Sequence, residues 1–104
     1  MTDPADTVAA AVLTVAGVAG LHAGMFGEVG TYLPGRRVPG VRITDDVIEV
    51  HVTLFFGAPV RETAARIRTA VAPLVASGRV DVTVEDVVAP AAAPPAPTSP
   101  GGAR

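Results

Sequence analysis

The chain has 104 residues, 49% of them hydrophobic and only 4% aromatic, with no cysteine and a net charge of −2. That bounds it to one small domain whose strong apolar residues must mostly serve a single core. It excludes disulfides and thiolate metal sites, leaves few rings to stack on bases or sugars, and gives no overall attraction to nucleic acid or anionic membrane.

The chain opens with "TDPADTVAAAVLTVAG". Asp3 suits a helix cap, Pro4 the first helical position, and Asp6 adds negative charge to the first turn. Val8, Val12 and Val15 form one apolar stripe at spacings of four and three, widened by Leu13 and Ala16. Gly17 is a stop signal, and "VAGLH" after it reads as a weak first strand. Residues 24–40, "GMFGEVGTYLPGRRVPG", hold five glycines and two prolines and read as one long loop.

"VRIT" and "VIEVHVTLFF" flank Asp45 and Asp46 and predict a hairpin. Ile48, Val50, Val52, Leu54 and Phe56 should face the core, with Val47, Glu49, His51, Thr53 and Phe55 on the wetter face. A second helix starts near Pro59 with the stripe Val60, Ala64, Ile67, Val71 and Leu74. Pro73 should weaken its last turn and Gly78 should close it. "RVDVTVEDV" alternates again, with Val80, Val82 and Val84 on one side. From Ala89 the segment "APAAAPPAPTSPGGAR" reads as a disordered Pro/Ala-rich tail, 89–104. The expectation is an α+β domain over residues 3–88: two layers, a small mixed sheet with two helices on one face and a right-handed strand–helix–strand crossover.

The apolar stretch around "VAGVAGLHAG" has competing readings. A membrane span needs about 20 apolar residues without strong breakers, and four glycines interrupt this run. A secretory leader needs a basic start, whereas this one carries Asp3 and Asp6. "GVAG" matches the G-x-x-G of KH nucleic-acid-binding domains, but that loop joins two helices and carries basic neighbours, while this one is apolar. A helix end followed by a strand explains it best.

No catalytic constellation is visible. His22 and His51 have no partner at metal-ligand spacing, and His51 reads as a surface residue on the wetter strand face. Asp45 and Asp46 are accounted for by a turn, and no nucleophile–base–orienter set stands out. The expectation is therefore no enzyme, no metal, no cofactor, no small-molecule substrate and no nucleic acid. The basic cluster is "PGRRVPGVR", with Arg36, Arg37 and Arg42, suited to phosphate, an acidic partner or a lipid headgroup. Tyr32 and Phe26 in the same loop strengthen a contact reading, so Tyr32, Arg36, Arg37 and Arg42 are the candidate interaction residues.

Taken in order, these segments resemble the alkaline-shock-protein family of envelope stress response proteins from Gram-positive bacteria. The carrying features are the helix ending in "VAGVAGL", Gly40–Val41 opening a hairpin, the strand "VIEVHVTLFFGAPV", the helix "ETAARIRTAV" and the final "VDVTVEDV". They cover about residues 6–88. The resemblance implies a small cytoplasmic, non-enzymatic protein of cell-envelope homeostasis, which self-associates or sits near the membrane through a membrane-anchored partner. This chain departs from the pattern in lacking Lys and in its Gly/Pro-rich 24–40 loop and Pro/Ala tail. A long alternating strand near an open sheet edge also favours a homo-oligomer. The polar sheet face of Arg42, Glu49, His51, Thr53, Thr83 and Glu85 suits a reversible contact. A KH-like nucleic-acid module is the alternative, disfavoured by charge and low aromatic content.

Overall fold

The computed structural model describes residues 3–75 and 79–89. Within them the chain folds as an α+β domain in two layers. The expected Gly78 helix stop, and the tail from Pro90 on, lie outside the described residues.

Helix α1 runs Pro4–Leu13. Asp3 caps it, its carboxylate accepting the Ala5 N–H at 2.9 Å. Val8 and Val12 are wholly buried, with Ala5 one turn earlier. The helix ends earlier than Gly17: Thr14 Oγ1 donates to the Ala11 carbonyl at 2.6 Å, and a turn through residues 14–17 delivers the chain to strand β1, Val18–Leu21. The G-x-x-G of Gly17 and Gly20 thus joins a helix to a strand.

Strands β2 (Gly30–Leu33) and β3 (Arg36–Pro39) form an antiparallel hairpin inside the segment expected to be a plain loop. Two physical reasons account for it. Leu33 pairs with Arg36, so Pro34 and Gly35 make a two-residue connection. Proline presets φ near that turn's first position, and Gly35 takes φ +74° at the second, a left-handed value that glycine adopts without strain. The short runs "GTYL" and "RRVP" show too little alternation to stand out against the glycines around them.

Strand β4 (Val41–Ile43) and strand β5 (Ile48–Phe55) form the expected hairpin, closed by the Thr44 N–H donating to the Val47 carbonyl at 2.9 Å. Helix α2 (Val60–Val71) then crosses over to strand β6 (Val80–Val88), which lies parallel to β5. The crossover is what makes the pair parallel, since a helix returns the chain to the end where β5 began. Strand β5 is the centre of the sheet. On one side it carries β6 along its whole length. On the other, β1 pairs with its Val52–Leu54 half and β4 with its Ile48–Val50 half.

Ile48, Val50, Val52 and Leu54 point into the core against Val8, Val12, Ile67 and Val71. Each such side chain contributes roughly 1.5–3 kcal/mol on full burial. Three expectations need correcting here. Phe56 is 76% exposed rather than core, because β5 ends at Phe55 and the chain turns away through Gly57. In α2, Ile67 and Val71 are buried as expected, but Val60 and Leu74 are exposed and Thr63 is wholly buried. Val60 is the first residue of the helix. Leu74 belongs to a 3-10 turn, Ala72–Leu74, in which Pro73 changes the rotation per residue and breaks the stripe.

Candidate interaction site

Both ends of the 22–40 excursion are clamped on one residue of β5. The His22 N–H donates to the His51 carbonyl at 2.8 Å, and the His51 N–H donates to the Gly40 carbonyl at 2.8 Å. Gly40 makes the close return possible. Its φ is +80°, and a Cβ there would lie 2.9 Å from both the His51 carbonyl oxygen and Leu21 Cβ. No side chain fits.

Between the clamps the chain builds a tight turn over Gly24–Gly27. The Gly27 N–H donates to the Gly24 carbonyl at 3.1 Å, and the Val29 N–H closes the base onto the Ala23 carbonyl at 2.7 Å. His22 Nδ1 accepts the Gly24 N–H at 2.9 Å. Glu28 Oε1 accepts the Phe26 N–H at 3.0 Å. Its own N–H and that of Phe26 hold the Glu28 carboxyl below the ordinary range for a glutamate. The turn presents only two side chains outward, Met25 at 80% exposed and Phe26 at 87%. In a chain with two methionines and four aromatic residues, this is a costly use of large apolar groups.

Arg37 ties the turn to the β2–β3 hairpin. Its guanidinium donates to the Gly27 carbonyl and, at 3.3 Å, to the Val29 carbonyl. It also lies 5.4 Å from the ring centroid of Tyr32, its cross-strand partner. Gly30 leaves room for it, since a Cβ there would come within 2.7 Å of Arg37 Nε. Tyr32 itself stays 74% exposed. Met25, Phe26 and Tyr32 are therefore borne on one braced unit.

The three arginines singled out by sequence do not form one free cluster. Arg36 makes a two-pronged pair with Asp6 of α1, at 2.8 and 2.6 Å, which fastens the hairpin to the first helical turn. That hydrogen bonding lowers the Asp6 carboxyl below its ordinary range and raises the Arg36 guanidinium. Arg37 is half-buried beneath the tip. Arg42 donates to the Glu28 carbonyl at 2.8 Å and lies 3.7 Å from Glu49. Each arginine is thus a brace of the excursion.

His51 is not the solvated surface residue expected. Its side chain is only 14% exposed, with Nδ1 donating to Glu85 at 2.6 Å and Nε2 3.8 Å from Glu49. The cause is a bulge in β6. Val52 pairs with Val84 but Thr53 with Asp86, which leaves Glu85 without a β5 partner and beside the imidazole. His51 and Glu85 are legible from alternation as members of one polar face, but the bulge is not, so their direct contact could not be read from the sequence. The polar sheet face therefore carries a connected set, Glu85–His51–Glu49–Arg42, which ends on the backbone beneath the tip. Among the described residues no group of three metal-ligating side chains comes together.

Comparison of the chain with protein-family models, curated proteins and solved structures finds no match to any of them. Among the described residues no helix is long and apolar enough to cross a membrane.

Proposed function

We propose that this chain is a non-enzymatic interaction module of cell-envelope homeostasis. It acts on the cytoplasmic side, by self-association or through a membrane-associated partner. The observation that carries this reading is the braced tip. Five hydrogen bonds and a cation–ring contact hold a four-residue turn whose outward side chains are Met25 and Phe26, with Tyr32 beside them. Apolar groups held rigidly in water lose little conformational entropy on docking, which is the physical mark of a contact surface. The segment order shared with alkaline shock proteins supports the envelope assignment. Strand β6 supports self-association: it pairs only with β5 among the described residues, so its outer edge offers unpaired backbone groups to a second copy.

Sedimentation velocity of wild type, Met25→Ser/Phe26→Ser and Arg36→Glu/Arg37→Glu, with recovery of membrane partners by each, tests the reading. The serine pair separates loss of contact from loss of loop geometry. Association and partner recovery should fall in both variants. A strictly monomeric wild type, with equal partner recovery by all three, defeats it.

A further inference from the structure

Resting on the self-association in that reading, we propose that copies of this chain join head to tail. The basic outer row of α2 in one copy docks on the acidic outer strip of β6 in the next.

The free basic charge of the molecule sits on α2. Of the seven arginines in the described residues, five are engaged. Arg36, Arg42, Arg66 and Arg79 pair with carboxylates, and Arg37 donates to backbone carbonyls. Arg61 and Arg68 are exposed and have no ion pair or hydrogen-bond partner among the described residues. Seven positions apart, they share one side of the helix, about 10 Å from each other along its axis. Ala65 lies between them, exposed and too small to hold a surface away. Helix α2 carries three arginines against one glutamate, whereas the rest of the chain carries five arginines against nine acids. Charge is thus divided within the molecule.

The matching surface is on the sheet face that the helices leave bare. Asp81, Thr83 and Asp86 of β6 are exposed there, with Glu85 partly buried beside His51. Asp81, Thr83 and Asp86 lie in register with Glu49, His51 and Thr53, which puts them on the side away from the core. Arg79 pairs with Asp81 at 3.1 Å, and even counting it the strip has one cation against three carboxylates. Asp81 and Asp86 are about 13 Å apart along the strand once the bulge is allowed for, a span that two arginine side chains can meet. Asp45 and Asp46 are adjacent on one turn and offer no such span.

A helix row on a strand face joins different patches of the two copies. Such a contact leaves each copy with one surface of each kind still free, so assembly is open-ended. Exposed charge pairs contribute modestly and are screened by salt, which makes the contact weak and reversible. It occupies neither the excursion tip nor the backbone edge of β6.

Sedimentation velocity of the full-length chain tests it, with Arg61→Glu/Arg68→Glu and Asp81→Lys/Asp86→Lys as variants. Circular dichroism checks each fold, and Asp81→Asn/Asp86→Asn replaces the lysine pair if that pair unfolds. Wild type should sediment faster as concentration rises, without levelling at a dimer, and should return to monomer in about 1 M salt. Each variant alone should associate roughly tenfold more weakly. Mixing the helix variant with the strand variant should restore association, because the intact helix of one then meets the intact strip of the other. A symmetric contact through the tip or the β6 edge gives no such rescue. Association unchanged in either variant, or not restored on mixing, overturns the inference and leaves self-association to the tip or the β6 edge. A strictly monomeric wild type also overturns it, and the interaction module then stands or falls on recovery of membrane partners by the tip variants.

Discussion

Gly40→Ala is the sharpest test of how the excursion is held. The substitution puts a methyl group where φ is +80° and where the His51 carbonyl oxygen and Leu21 Cβ would each lie 2.9 Å away, with the His22 nitrogen at 3.0 Å. The left-handed conformation alone costs an alanine about 1–2 kcal/mol. Two of the crowding atoms belong to backbone and cannot swing aside, so the clamp itself must open. The His22-to-His51 and His51-to-Gly40 hydrogen bonds, each 2.8 Å, are then strained or lost. Each contributes roughly 1 kcal/mol net. The expected loss is about 3 kcal/mol, a large part of the roughly 5–15 kcal/mol available to a domain. Urea unfolding should show it as a lower midpoint at unchanged slope, and heating as a fall of about 10–20 °C. Hydrogen exchange should quicken first at His22 and His51. A loss under about 0.5 kcal/mol, with those two amides still protected, would refute the clamp.

Other consequences can be checked in the same assays. Thr63 is wholly buried and its hydroxyl has no partner among the described residues, so Thr63→Val should raise stability by about 1 kcal/mol; a clear drop would reveal a partner for that hydroxyl. Val12→Asp places an unpaired charge against the sheet and should cost roughly 3–5 kcal/mol, with a folded, soluble mutant of wild-type melting temperature as the contrary result. The Asp6 carboxyl is held below its ordinary value of 3.8 by Arg36, so the unfolded chain binds its proton first as pH falls. The stabilisation is present above 3.8 and disappears as pH drops through the lower folded value. Asp6→Asn should therefore flatten the acid limb of the stability curve, and an unchanged acid limb would mean the pair contributes nothing in solution.

Local chemistry alone specified much of this protein. Asp3 and Pro4 mark where α1 begins, the Val8–Val12 spacing marks its buried side, and the alternation from Ile48 to Leu54 marks the central strand and its inward face. These features repeat with the period of their element, so neighbours in sequence suffice to reveal them. The site is different. Arg36, Arg37 and Arg42 were legible as a cluster and Tyr32 as a companion, but their roles were not, because each brace reaches elsewhere in the chain: Asp6 for Arg36, Gly27 for Arg37, Glu28 and Glu49 for Arg42. The His51–Glu85 pair depends on a bulge thirty-four positions away. Nothing local marked Thr63 for burial, and Phe56 looked like core until the helix and strand ends were placed against the sheet. Periodicity tells which side of an element is apolar. Whether a neighbour covers that side, and which distant partner a long side chain reaches, depends on how the elements pack, and only the tertiary structure decides it.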